Sequence, residues 1–287
     1  MPTTIKQGFE KLRENLEITG LQEETVSTRQ QNVRDVVAAG MSVLDSFLTG
    51  SYRRSTMIAP LTEADVDVFV VLDPKHYSAN GQQALLDEVR RVLRKTYTRT
   101  PEISPNGQAV TIRFDDFKID VVPGFNRQGG GFLIPDAQAN RWISTDPKKH
   151  VELWTASNKI HNGNLVPLIK MIKGWNKTHS TLLRSFHLEC MIREILTNIT
   201  ISDFSSGYRY VLNSAKDKVY TPVYDPAGYG GDVGSSMALM DKQAAAVGLN
   251  SACNLALEAE RLESAGRTAE AFEKWRKVFS DYFPAYG

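Results

Sequence analysis

Apolar residues recur along this chain with two periods, about 3.6 and 2, and the changes between them mark out the expected elements. Residues 5–18 and 20–48 follow the helical period. In the second stretch Val26, Val33, Val36, Val37, Met41, Leu44 and Phe47 fall three, four and seven apart. That predicts a single helix with one buried stripe, long enough to run along two lobes. Gly50 breaks it, and a short strand is expected over 51–54. Residues 65–72, "DVDVFVVL", read as a strand closed by Asp73-Pro74. Residues 82–97 return to helix through Leu85, Leu86, Val89, Val92 and Leu93. Two β-like runs, 109–114 and 117–122, flank Asp115-Asp116 and predict a hairpin.

The second half reads differently. Residues 123–147, "PGFNRQGGGFLIPDAQANRWISTDP", are Gly-rich and polar and are expected to be a loop. From about Val151 helix dominates, with segments at 165–177, 186–197, 236–264 and 268–282. Residues 223–234, "VYDPAGYGGDVG", interrupt them as a glycine-rich loop. The pattern gives an α+β chain: helices with a mixed β-sheet over 1–150, and a helical part over 151–287.

Composition narrows this. The chain has 287 residues, 41% hydrophobic and 23% charged, enough for a packed core in one large domain or two lobes. The net charge of +1 excludes a strongly basic polyanion binder, so no strong nucleic-acid signal is present. Cys190 and Cys253 cannot build a disulfide framework and lack metal-ligand spacing. No charged-then-apolar leader is visible, and no apolar run reaches the roughly 20 residues that span a bilayer. A soluble, cytoplasmic protein is expected.

The candidate chemistry begins in the strand over 65–72. Side chains alternate along a strand, so Asp65 and Asp67 share a face while Val66, Val68 and Val70 share the other. Two such close carboxylates repel unless a cation lies between them. Mg²⁺ prefers oxygen and is commonly held by one or two carboxylates plus substrate phosphates. A third acid, Asp120, sits among Ile119, Val121 and Val122, where an unpaired carboxylate is costly. If its strand lies beside 65–72, three acids converge and can hold two metal ions. Upstream, Gly50-Ser51 offers a backbone that a phosphate can approach closely and a hydroxyl that can donate to it.

A Gly-Ser turn, thirteen intervening residues, Asp-x-Asp and a later strand Asp resemble the polymerase-β-like nucleotidyltransferase superfamily. "GSYRRSTMIAPL…DVDVFVVL" resembles more narrowly the CD-NTases, the cGAS/DncV-like enzymes of bacterial anti-phage (CBASS) systems. "IPDAQANRWISTDPKKH", "NGNLVPLIKMIKGWN", "SFHLECMI" and "KWRKVFSDYFP" extend the likeness over most of 45–200 and the C-terminus.

The resemblance implies a bilobal nucleotidyltransferase fold: a mixed-sheet catalytic lobe braced by a long N-terminal helix, and a helical C-terminal lobe. It implies that Asp65, Asp67 and Asp120 are the catalytic, metal-binding acids, holding two Mg²⁺ ions, with Mn²⁺ as a substitute. Gly50, Ser51, Lys173 and Ser185 would contact the donor triphosphate, and Phe186 would stack on a nucleobase. The family often has tyrosine at that last position. Lys173 also fits a surface lysine, Ser185 a helix N-cap and Phe186 a core residue. His187 is expected to be structural, tied to a backbone carbonyl. The loop over 223–234 is expected to be a plain interlobe connection, the alternative being a cap over the nucleotide pocket with Tyr229 near a base.

The activity implied is the joining of nucleoside triphosphates into a cyclic di- or trinucleotide second messenger that reaches a downstream effector. A CBASS regulatory partner at the C-terminus is a further expectation from the terminal "DYFPAYG". The alternatives are a nucleotidyltransferase that modifies a tRNA or protein, and a catalytically silent nucleotide-binding module.

Overall fold

The computed structural model describes residues 1–100 and 102–287. The chain divides into two compact units, 18–153 and a discontinuous one made of 1–17 and 154–287.

The unit over 18–153 is a twisted sheet with helices on one face. Helix α2 (Gly20–Gly40) starts at Thr19, whose side chain accepts from the Gln22 amide while the Gln22 side chain caps Thr19 in return. It stops at Gly40, where an added Cβ would lie 2.4 Å from Val92 of α4 (Gln82–Thr96). Strands β1 (Val43–Thr49), β2 (Asp65–Leu72), β3 (Glu102–Asn106), β4 (Ala109–Arg113) and β5 (Lys118–Asn126) follow. Their spatial order is β1-β2-β5-β4-β3, and β2 and β5 run parallel. Val66, Val68, Val70, Ile112, Ile119 and Val121 turn to one face and pack with Val33 and Val37 of α2 and Leu86 and Val89 of α4. β6 (Phe132–Asp136) continues from β5, and β7 (Arg141–Thr145) pairs with β6. On the other face, at the far end of β2, Phe69 and Val71 pack with Phe132 and Ile134.

Three expectations for this unit fail. The helix expected over 20–48 ends at Gly40, and Leu44 and Phe47 belong to β1, antiparallel to β2. Strand pairing with β2 prevails over a helical spacing that those side chains satisfied by coincidence. Residues 51–54 form no strand: α3 (Gly50–Arg53) is a short helical turn. The loop expected over 123–147 is mostly β-structure, with Gly129, Gly130 and Gly131 at positive φ between β5 and β6. Its polar turns hid the alternation of "FLIPD" and "RWIST". The strand over 65–72, the helix near 82–97 and the hairpin about Asp115-Asp116 are present.

The other unit is helical. It contains α1 (Ile5–Leu16), α6 (Leu165–Thr178), α7 (Ser185–Ile195), α8 (Phe204–Lys218), α9 (Leu239–Ser264) and α10 (Thr268–Phe279). Helix α5 (Pro147–Ile160) carries the chain from one unit into the other, so the expected boundary after 150 falls inside a helix. α1 is grouped with the helical unit and not with the sheet. Its Phe9 is 4.8 Å from Trp275 and 5.4 Å from Phe283 between ring centroids, both edge-on. Gly174 of α6 lets Leu16 approach to where a Cβ would be 2.9 Å away. No described helix is long and apolar enough to cross a membrane.

Candidate active site

Register places the three acids. Asp67 on β2 stands opposite Asp120 on the parallel neighbour β5, and Asp65 stands opposite Lys118. In the antiparallel pair of β4 and β5, Thr111 lies opposite Asp120 and Arg113 opposite Lys118. Because opposed residues share a face, Asp65, Asp67, Asp120, Lys118, Thr111 and Arg113 form one polar surface. The reverse surface is the apolar one packed under α2 and α4. This arrangement explains the two acids of an otherwise apolar strand: the sheet is amphipathic at the end where they lie.

Gly50 and Ser51 arrive from the opposite side of β2. Thr49 ends β1 opposite Asp67, so Gly50 turns away just beside that carboxylate. Gly50 has φ +65°, and a Cβ built on it would sit 1.7 Å from Oδ2 of Asp67. The glycine is required twice over, by its left-handed backbone and by the carboxylate that fills the space of a side chain. Ser51 is half-buried, and its carbonyl accepts from the amides of Thr56 and Met57, which fixes the turn. Its hydroxyl makes no hydrogen bond among the described residues.

Each outer acid has a protein partner. Lys118 Nζ lies 3.4 Å from Oδ1 of Asp65. The Thr111 hydroxyl donates to Oδ1 of Asp120 at 2.6 Å. Burial pushes the Asp120 carboxyl above its ordinary range; the Thr111 hydrogen bond pulls it down, the Asp65 charge raises it and Lys118 lowers it. A groove of about 260 Å³ extends from Asp65 and Asp120 across β4 and β3, lined also by Ser104, Thr111, Arg113 and Lys118.

As the side chains stand, no group of three His, Cys, Asp or Glu residues is arranged to hold a metal ion among the described residues. The acids are aligned by register, with Asp65 engaged by Lys118 and Asp120 by Thr111. The donor set is nevertheless hard oxygen throughout, and Asp67, seated against a glycine cradle, is in register with Asp120. These residues fit a divalent oxygen-seeking cation in chemistry and in backbone placement.

The remaining expected ligand residues lie in the helical unit. Lys173 of α6 is 6% exposed, and its ammonium is 3.1 Å from Oε1 of Glu189 on α7, which is fully buried. Ser185 is exposed at the start of α7, while Arg184 occupies the N-cap position, so Ser185 is not the cap. Phe186 stacks on Trp154 at 6.0 Å between centroids and 21° between planes.

His187 differs from expectation. It is 2% exposed and neither ring nitrogen has a hydrogen-bond partner among the described residues, so no carbonyl of theirs holds it. Gly234 of the glycine-rich loop presses against its ring, where a Cβ would be 2.7 Å from Cε1. That loop is braced from within. Asp225 accepts from the amides of Ala227 and Gly230, and Asp232 from those of Val223 and Gly234.

Thr111, Lys118 and Glu189 were not singled out from the sequence. Thr111 and Arg113 alternate with Val110 and Ile112 in β4, a readable sign of a polar face. Glu189 is a lone acid in the apolar run "HLECMI", the same signal that exposed Asp120.

Residues 3–158 match the Second Messenger Oligonucleotide or Dinucleotide Synthetase domain. Over 226 residues the chain is 28% identical to a cyclic AMP-AMP-AMP synthase of an Acinetobacter strain, a match covering 75% of this chain and 65% of that relative. The match thus spans just under two thirds of that relative's length. In three dimensions the chain is similar to E. coli MS115-1 CdnC solved with ATP, at a TM-score of 0.79 and 13% identity, covering 98% of this chain and 99% of the other. CdnC in a complex with HORMA-deltaN gives a TM-score of 0.78 at 15% identity, covering 98% of both chains.

Proposed function

The chain belongs to the Second Messenger Oligonucleotide or Dinucleotide Synthetase family, the CD-NTases of the nucleotidyltransferase superfamily, and from that premise we propose that it joins nucleoside triphosphates into a cyclic di- or trinucleotide. The observation that carries the reading is the parallel register of Asp67 and Asp120, with Asp67 seated against the Gly50 turn. The name of the Acinetobacter relative, a cyclic AMP-AMP-AMP synthase, supports the product class. The neighbour solved with ATP supports a nucleoside triphosphate as substrate.

Asp65, Asp67 and Asp120 would hold Mg²⁺ at the polar end of β2 and β5. Bound there, divalent ions supply neutralisation of triphosphate charge and activation of the attacking hydroxyl. The Gly50 turn brings backbone and the Ser51 hydroxyl to the phosphates on the β1 side. Lys118, released from Asp65, keeps a positive charge at the rim. The acceptor ribose hydroxyl attacks the α-phosphorus in line, a new P–O bond forms and pyrophosphate leaves; a second attack closes the ring. What the protein contributes is position and charge. The cyclic product acts on a downstream effector in anti-phage (CBASS) signalling, and a regulatory protein governs the enzyme. The similar structure of CdnC in a complex with HORMA-deltaN supports a protein partner.

The test is incubation with all four labelled nucleoside triphosphates and Mg²⁺, followed by phosphatase. A phosphatase-resistant product is expected. Asp65→Ala with Asp67→Ala should lower its yield by at least about 10³-fold, because such a site acts as a unit. The double variant should keep its circular dichroism and melting temperature. Wild-type turnover by a well-folded double variant would refute the assignment of these acids.

A further inference from the structure

We propose that Thr111 is a positioning residue for the Asp120 carboxylate, a role that rests on the reading of Asp120 as a metal-binding acid. Thr111 is 7% exposed and stands on β4 directly opposite Asp120 of β5. Its hydroxyl donates to Oδ1 of Asp120 at 2.6 Å. A hydroxyl has one proton to give, and here it goes to that oxygen.

Two consequences follow. A free carboxylate rotates about its last bond, and a ligand that rotates binds a cation less well than one already oriented. The Thr111 bond locks that rotation from a rigid strand. It also divides the work of the two oxygens. Oδ1 gives one of its lone pairs to Thr111, which leaves Oδ2 the less encumbered oxygen for a cation on the face shared with Asp67. Threonine suits the place because its branched methyl fills the strand surface while the hydroxyl reaches across the ladder.

A purely structural reading makes a different forecast. There the bond serves folding alone, and an isosteric valine would lower stability modestly, for the Asp120 oxygen left without its donor, while leaving cation affinity unchanged.

Thr111→Val and Thr111→Ser separate the two, measured in the full-length protein. Mn²⁺ alone serves as the probe, its binding followed by electron paramagnetic resonance, with turnover of nucleoside triphosphates measured in parallel. Thr111→Val should melt within a few degrees of wild type, bind Mn²⁺ at least about tenfold more weakly and lose at least about tenfold in kcat, with KM for the nucleotide little changed. Thr111→Ser should restore both to within about threefold. Wild-type Mn²⁺ affinity in Thr111→Val overturns the proposal. Equal losses in both variants overturn it too, because they would put the effect in packing and not in the hydroxyl. A wild-type protein that binds Mn²⁺ yet yields no cyclic product would overturn the cyclase reading. The Thr111 assignment would then still be decided, by the Mn²⁺ titrations alone.

Discussion

At the scale of single residues, Gly50 and His187 show how closely local chemistry is specified. Gly50 has a left-handed backbone and the Asp67 carboxylate where its side chain would be. Gly50→Ala should therefore cost about 1–2 kcal/mol in backbone strain alone and displace Asp67 from its cradle. Turnover should fall by about 10²-fold or more while the melting temperature drops only modestly. Near-normal turnover would show that the position of Asp67 is not critical. His187 is buried with both ring nitrogens unpartnered among the described residues, and burial holds its pKa below the ordinary value; Asp232 and Glu194 raise it, and Lys242 lowers it. With a depressed folded pKa, the unfolded chain binds the proton first as pH falls. The contribution of His187 is thus fully present above about pH 6.5, the unfolded value, and is lost as pH falls from there through the folded pKa. His187→Leu should flatten the stability–pH curve as pH falls below about 6.5, read from urea midpoints at stepped pH. An unchanged slope would mean that other groups dominate this window.

At the scale of elements, α6 and α7 are joined by a buried ion pair. Lys173 and Glu189 have side chains 7% and 0% exposed and lie 3.1 Å apart. Removing one partner takes the opposite charge away from beside a buried ion, so Lys173→Met or Glu189→Leu alone should cost about 3–5 kcal/mol, whereas the double variant should recover most of that. Activity then tells whether Lys173 also serves the nucleotide. If it does, the double variant refolds but stays slow; if the pair is only structural, turnover returns with stability. This pair was half legible in the sequence. Lys173 stood out by its motif, whereas Glu189 lies sixteen residues later on another helix, and nothing local connects them. The sheet repeats that contrast. β2 was readable because Val66–Leu72 is a run of β-formers closed by Asp73-Pro74, but β1 was not, since Leu44 and Phe47 fit a helix stripe until the strand pairs with β2, Phe47 opposite Phe69 and Leu44 at a register shift. The β6–β7 hairpin was obscured by three consecutive glycines and polar turns. For the same reason the acids were legible and Thr111 was not. An acid in an apolar strand demands an explanation from its own surroundings, while a threonine in a strand is ordinary until register sets it against Asp120.

At the scale of the whole molecule, the chain leaves one unit and comes back to it. Residues 1–17 are grouped with 154–287, and the sheet unit occupies the stretch between. A division at residue 150 would assign α1 to the sheet, but the aromatic packing assigns it elsewhere. Phe9 meets Trp275, Phe279 and Phe283 edge-on at 4.8, 6.1 and 5.4 Å. Gly8 lets Phe283 approach to where a Cβ would be 2.7 Å away. The first helix thus closes a core built mostly by the last one, about 260 residues later in sequence. Such closure makes the helical unit depend on both ends of its discontinuous chain, while the hydrophobic cluster beneath β2 and β5 draws on α2 and α4 and includes no α1 residue. Phe9→Ala should consequently cost about 3–5 kcal/mol, and the loss should be local. Amide hydrogen exchange should quicken in α1 and α10 by about two orders of magnitude or more where exchange follows opening of that unit, and stay near wild type in β2 and β5. Equal acceleration in the sheet strands would show that the two units unfold together, and that the division seen in their contacts is not a division in stability.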